Sequence, residues 1–326
     1  MAQAAATVAP GAHEANDMTD PRILFITVGD RSWASSRMRS YWPADIMPNA
    51  DVVQMTGEEQ YVSTEYDAYI WMKTGNLEAM RAVKAAGKVQ IVEVCDPNWW
   101  FQPDTTRQLI DQCTAIVAAT KPAERDILEW YGRDIPAYYI PDRLNLAHFP
   151  ARRMHAHTDI PRLIWFGIAA NRVALYAATA YMQRLAANGH KFSLTICDEM
   201  PKAQMYEETP FPVYHVKWRL DQENAILADH DIALLPPYPG PWGDLKSNNK
   251  KLTAWACGLP VTDGQDWTEL VGLIGDWRWR QESAAAGYNE LFYRYQTEHT
   301  AAQWNEIVTE LMQGAEHNER SAVQIR

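Results

Sequence analysis

Asp231–Pro260 reads DIALLPPYPGPWGDLKSNNKKLTAWACGLP, and the parsing of this stretch decides the fold. Ile232 to Leu235 is a short apolar run, as expected of a strand buried on both faces of a parallel sheet. Pro236, Pro237, Pro239, Gly240 and Gly243 then hold the chain in a loop. Ser247, Asn248 and Asn249 are good helix N-cap types, and a helix is predicted over Asn249 to Ala256. Strand, loop and helix in that order form the repeating unit of a doubly wound α/β domain, whose ligands bind beyond the carboxyl ends of the strands. The free N–H groups and positive dipole end of such a helix suit an anion, and Lys246, Lys250 and Lys251 bring full charges beside them. Taken locally, a well-capped surface helix accounts for the same residues equally well. Its place after a strand in a second α/β unit weighs toward a diphosphate.

Working outward, the same rhythm covers most of the 326 residues. In the first half, strands are predicted at Arg22–Val28, Asp51–Met55, Asp67–Met72, Val89–Cys95, Ala115–Ala119 and Ala137–Ile140. Helices are predicted at Ser36–Met47, Leu77–Ala86, Thr105–Cys113 and Pro122–Tyr131. Periodicity lapses over Pro141–His157, the connection between domains. Strands then follow at Arg162–Phe166, Phe192–Cys197, Val213–Val216, Ile232–Leu235 and Leu259–Thr262, with helices at Arg172–Ala187 and Gln222–Ala228. Trp304, Ile307, Val308, Leu311 and Met312 share one helical stripe within Thr300–Met312 and need something to pack against. The division expected is a tail at 1–20, a Rossmann-like domain at 21–150, and a second Rossmann-like domain at 151–299. A helix packing back at 300–313 and a tail at 314–326 complete it. The fold class expected is α/β, with two Rossmann-like domains facing across a cleft.

Charge and composition narrow the partners. Lys and Arg number 30 against 41 Asp and Glu, and the net charge of −11 opposes nonspecific binding to nucleic acid or anionic lipid. Four well-separated cysteines lack metal or redox spacing and read as reduced thiols of a cytoplasmic protein. His148, His155 and His157 cluster in sequence without a carboxylate to complete a metal set, so no metal is expected. No run approaches the ~20 apolar residues of a membrane span.

Several stretches, in order along the chain, resemble glycosyltransferases of the two-Rossmann GT-B architecture, and family-four-like ones in particular. DIALLP followed by KSNNKKLTAWACGLPV resembles their donor-binding segment. Ser36-Arg37-Met38-Arg39 with Pro43-Ala44 resembles their start, and Ile140-Pro141-Asp142 through Leu146 and Phe149 their crossover. Trp165-Phe166-Gly167 with Asn171 resembles the glycine loop that opens the second domain, and Trp218 fits before the DI strand. The likeness spans residues 22 to 313, and the order of the motifs is its specific part. Two glutamates eight positions apart in many relatives correspond here to Leu245 and Thr253, and the Arg/Lys pair that usually follows the glycine loop is missing.

The resemblance implies a metal-independent, retaining transferase taking a UDP-sugar or GDP-sugar as substrate, with no cofactor. Its donor side would comprise Gly167, Asn171, Arg172, Trp218, Ser247, Asn248 and Asn249, with Lys246 and Lys250 neutralising the charge that grows as the sugar–phosphate bond breaks. Asp96 and Lys73 end predicted strands on the cleft edge. Asp96 would accept the acceptor's hydroxyl proton or orient the acceptor, although an Asp–Pro turn also explains Asp96-Pro97. Ser36, Arg37 and Arg39 complete the acceptor side, since cations in a first helical turn oppose the dipole and suggest a phosphate partner, or a salt bridge. Trp99-Trp100-Phe101 is ordinary packing or a stacking wall. The acceptor expected is a glycan or lipid-linked sugar. A modified DNA base is the alternative, disfavoured by net charge unless Arg31, Arg37, Arg39 and Lys73 make a basic face. A degenerate nucleotide- or glycan-binding protein is the non-enzyme alternative. An NAD-dependent oxidoreductase ranks lower, because GDRSWASS follows the first strand in place of G-x-G-x-x-G.

Overall fold

The computed structural model describes residues 20–55, 62–200 and 208–324, with side chains as far as residue 314. All but Asp20 of the tail expected at 1–20 lies outside the described residues. Two parallel sheets carry the molecule. In the first, β1 (Ile23–Thr27), β2 (Ala50–Gln54), β3 (Ala68–Met72), β4 (Val89–Val94), β5 (Ala115–Ala118) and β6 (Ala137–Tyr139) lie in the order β2-β1-β3-β4-β5-β6. In the second, β7 (Arg162–Phe166), β8 (Ser193–Asp198), β9 (Val213–Lys217), β10 (Ile232–Leu234) and β11 (Val261–Thr262) lie as β11-β10-β7-β8-β9. Strands β1, β3, β4 and β5 are buried along their whole length, because helices cover both faces of the sheet. Strand order reverses between β1 and β3 in one sheet and between β7 and β10 in the other, and each reversal opens a crevice at the strands' carboxyl ends.

Helix α1 joins three pieces, Ala34–Ser36, a π-helical turn over Arg37–Tyr41, and Trp42–Ile46. Pro43 has no N–H for the Arg39 carbonyl, and the turn before it widens so that the Trp42 N–H reaches Arg37 O. The first domain continues with α2 (Leu77–Ala85), α3 (Asn98–Phe101), α4 (Pro103–Ile110) and α5 (Lys121–Tyr131). The second holds α6 (Leu175–Ala187), α7 (Glu223–Ala228), α8 (Pro241–Leu245), α9 (Asn249–Ala256), α10 (Trp267–Gly275) and α11 (Trp277–Arg294). Three of these, α8, α10 and α11, were not anticipated. Asp266 and Asp276 cap α10 and α11, and Gly272, which reads as a breaker, lies against the Trp279 ring, where a Cβ would sit 1.8 Å away.

The last helix, α12 (Thr297–Gln324), runs from the second domain back to the first. It is longer than the helix expected at 300–313, and its backbone occupies most of the tail expected at 314–326. Trp304, Ile307, Val308 and Leu311 close the core formed by Ile23, Phe25, Ile70 and Ile91, with Trp304 edge-on to Phe25 at 5.7 Å. The two chain crossings lie side by side, Leu144 N–H donating to Tyr295 O (2.9 Å) and Thr297 N–H to Leu144 O (3.0 Å). Met38 and Trp42 from α1 share a core with Ile164, Phe166, Leu252 and Trp255, so apolar packing also joins the domains.

Candidate active site at the facing sheet edges

The β7–β10 reversal brings together the two loops singled out in the sequence. Gly167 directly follows β7, and α9 begins beyond the loop that leaves β10. Asn248 is the N-cap residue of α9, but its side chain accepts no hydrogen bond from the helix's first turn. The positive end of the helix is therefore left for an outside acceptor. Lys250, in that first turn, holds its Nζ over the Trp165 ring, 5.1 Å from the centroid. It lies against Gly167, where a Cβ would come within 2.6 Å of Nζ, so glycine is what allows the lysine to cross the loop. Burial chiefly, and Lys246 secondarily, pull the Lys250 ammonium down to about 8. Nearby, Asn171 lies in the short 3-10 stretch Ala169–Ala174. The Ala169 N–H at its start donates to both carboxylate oxygens of Glu199, at 3.0 Å each.

The first sheet contributes Lys73, immediately after β3, and Asp96, two residues after β4. Lys73 is the one non-glycine residue with positive φ among the described residues, at 54°, a strained conformation of the kind concentrated at functional sites. Its ammonium contacts one oxygen of Asp96, and Lys246 from the other domain reaches the second oxygen at 3.2 Å. Burial pushes the Asp96 carboxyl upward, but the two ammoniums together outweigh it and hold the carboxyl below its ordinary value. Burial lowers Lys73 while Cys95 and Asp96 act the other way, and the net direction is up. Asp96 is thus a lasting carboxylate between two cations, well suited to accept a hydrogen bond and poorly suited to keep a proton.

Five other expected site residues make their contacts elsewhere. Arg39 is enclosed at 2% exposure and spends its donors on Glu93, on Asp142 (2.7 Å) and on Ile140 O (2.9 Å). Ser36 is wholly buried and accepts a hydrogen bond from the Thr27 hydroxyl at 2.8 Å. Both side chains are buried by α1, Arg39 within its widened turn and Ser36 in the turn before it. Arg37 pairs with Glu223 of the second domain at 3.3 Å and donates to Arg31 O and Ser32 O. Arg172 grips Asp198, at the end of β8, through Nε (2.5 Å) and Nη2 (2.6 Å), which takes its charge away from a diphosphate. Trp218 donates its indole N–H to Glu223 at 3.0 Å. The histidines at 148, 155 and 157 do not converge: His148 faces Glu223, whereas the His155 ring pairs with Gly258 O. Among the described residues no group of three His, Cys, Asp or Glu side chains is placed to hold a metal ion.

Sequence reading missed Glu223, which joins Arg37 to Trp218, and it missed α8. This short helix leaves the second domain and docks on the first. Leu245 enters the core of Val92, Val94, Trp99 and Ile110, its carbonyl accepts from the Thr120 hydroxyl at 3.2 Å, and Trp242 meets the Phe101 ring at 4.8 Å. Gly243 packs on the Tyr238 carbonyl so closely that a Cβ would lie 1.9 Å from the oxygen. The available signal was one apolar pair, Trp242 and Leu245, in an otherwise proline- and glycine-rich loop.

No family model and no curated protein sequence matches the chain. Solved structures do. HepE from Anabaena, in complex with UDP and glucose, superposes with a TM-score of 0.66 at 12% identity, covering 89% of this chain and 100% of its own. A glycosyltransferase from Rickettsia africae gives 0.63 at 9% identity, over 90% and 99% of the two chains. An alpha-glucosyltransferase in complex with UDP and a mismatched 13-mer DNA gives 0.61 at 9% identity, over 90% and 100%. The chain therefore has the GT-B fold, two Rossmann-like α/β domains that face each other.

Proposed function

We propose that this protein is a glycosyltransferase that takes a nucleotide-diphosphate sugar and passes the sugar to a hydroxyl of a glycan or lipid-linked acceptor. The observation that carries the reading is the uncapped start of α9, with Lys250 crossing to Gly167 at the switch point of the second sheet. UDP is the first nucleotide to test, because HepE and the alpha-glucosyltransferase of the same fold were solved with it. The diphosphate would take the α9 amides, and Lys250 and Lys246 would offset the charge that develops on it as the glycosidic bond breaks. A helix terminus and two ammoniums supply that stabilisation without a metal. Asp96, held below the usual carboxylate range, orients the acceptor hydroxyl by accepting its hydrogen bond. The departing diphosphate oxygen is the better base and receives the proton. A hydroxyl that delivers its proton to the leaving oxygen attacks from the leaving group's side, which gives retention. A cytoplasmic setting suits the four free cysteines, and no helix among the described residues is long and apolar enough to cross a membrane.

The basic face that a DNA acceptor needs is not built from the residues first considered. Arg31 pairs with Asp45, Arg37 with Glu223, Arg39 with Glu93 and Asp142, and Lys73 with Asp96. Each positive charge is matched locally, which favours a carbohydrate acceptor. The test is a thermal-shift screen against UDP, GDP, ADP, CMP and their sugars, followed by an assay of donor hydrolysis without acceptor. A UDP- or GDP-sugar should stabilise the fold in proportion to the logarithm of its occupancy and be slowly hydrolysed. Stabilisation without hydrolysis would identify a binding protein, and no stabilisation by any nucleotide would end the transferase reading.

A further inference from the structure

The aromatic residues at the domain seam are not used by the proposed chemistry. Helix α3 begins two residues after Asp96, and its three aromatic side chains divide their roles. Trp99 is buried, and both it and Trp100 donate to Asp126, at 2.6 and 2.9 Å. Phe101 follows with 58% of its surface exposed and meets Trp242 of the other domain at 4.8 Å, tilted by 42°. Tyr238 lies 6.1 Å beyond, on the opposite side of the turn that Gly243 tightens. The Lys246 ammonium stands over the Trp242 ring, 5.0 Å from its centroid, while also holding Asp96. The Trp242 indole N–H has no hydrogen-bond partner among the described residues.

We infer that Phe101 and Trp242 form a platform on which a pyranose ring of the acceptor stacks, with Asp96 and Lys246 at its edge to meet the hydroxyls. A pyranose has an apolar C–H face and a rim of hydroxyls, and the exposed Phe101 ring, backed by the half-buried Trp242 and set beside one carboxylate and one ammonium, offers both complements. The two rings come from different domains, so the platform exists only where α8 docks on the first domain. Acceptor binding is thereby tied to the same contact that brings Lys246 to Asp96. The inference rests on the transferase reading, since it supplies that reaction's second substrate.

Saturation-transfer NMR on the full chain tests it, with methyl β-D-glucopyranoside, methyl β-D-galactopyranoside, methyl α-D-mannopyranoside and N-acetylglucosamine as probes. At least one should receive saturation, strongest at the protons of one C–H face. Phe101→Ala should weaken that probe about tenfold, the scale of one lost aromatic contact, and Phe101→Tyr should restore it. Phe101 is mostly exposed, so its removal leaves the core intact, and an unchanged UDP thermal shift in both variants checks this. Absence of saturation transfer from the unaltered protein to any of the four probes would overturn the inference, as would unaltered affinity in Phe101→Ala. The UDP shift of the unaltered protein is read separately. Its failure would strike the donor site, whereas loss of pyranose binding alone strikes the platform.

Discussion

Lys250 has to be charged to hold a diphosphate, and its surroundings bring its titration close to neutral pH. Burial first and Lys246 second lower it to about 8, so raising the pH through that value removes the charge from the free protein. A ligand that needs the ammonium then binds more weakly with each step in pH. UDP-glucose is the suitable probe, because its diphosphate, esterified at both ends, has no proton to lose in this range. Its affinity should be level below about pH 7.5 and then fall about tenfold per pH unit, since one proton is taken up per molecule bound. Lys250→Arg keeps its charge at every accessible pH and should move the fall beyond the range measured. Lys250→Ala should lose the pH dependence and lower turnover about a hundredfold, taking one electrostatic donor at ~2.7 kcal/mol. Isothermal titration at constant ionic strength from about pH 6.5 to about pH 9.5 reads all three. Affinity of the unaltered protein that stays level to the end of that range would refute the argument. So would an alkaline fall that survives in Lys250→Ala, since another group would then be responsible.

Asp96→Asn should slow sugar transfer about tenfold, short of the ~100-fold or more that follows loss of a general base, and should leave UDP-glucose affinity intact; steady-state kinetics with a responsive acceptor separates the two. Arg37→Met leaves the buried Glu223 carboxylate with the Trp218 indole N–H and His148 but without its guanidinium partner, and urea unfolding should show a loss of about 3 kcal/mol, part of it recovered by adding Glu223→Leu. Trp304→Ala removes the largest side chain that α12 gives to the first domain's core and should cost about 3–5 kcal/mol by the same measurement. Glu199→Gln removes a negative charge from the start of the 3-10 stretch beside Gly167, and UDP-glucose should bind about two- to fivefold more tightly by titration, the worth of one exposed charge at a helix end.

The alternation of apolar runs with helical segments determined by itself that the chain forms two parallel α/β sheets. The positions of central strands such as β1, β3 and β5 follow because each run is buried on both faces and reads as apolar throughout, whereas the edge strands β2, β6 and β9 are only partly buried. The start of α9 was legible for a local reason as well, since the loop residues and N-cap types of Asp244–Pro260 occur in one unbroken stretch. Residues whose roles depend on distant partners were not legible. Arg37 and Arg39 read equally as phosphate ligands or salt-bridge partners, and Arg172 as a phosphate ligand, because the acids that claim them, Glu223, Glu93, Asp142 and Asp198, are remote in sequence or lie beyond a connecting helix. Leu245 looked like the place of a lost glutamate, whereas folding makes it the anchor of α8 in the first domain. Local sequence determines backbone propensity and burial pattern, and these are enough for the fold. The partner of a charged or aromatic side chain is decided only when the domains come together, because a buried charge is stable only opposite another and a cleft exists only between two surfaces.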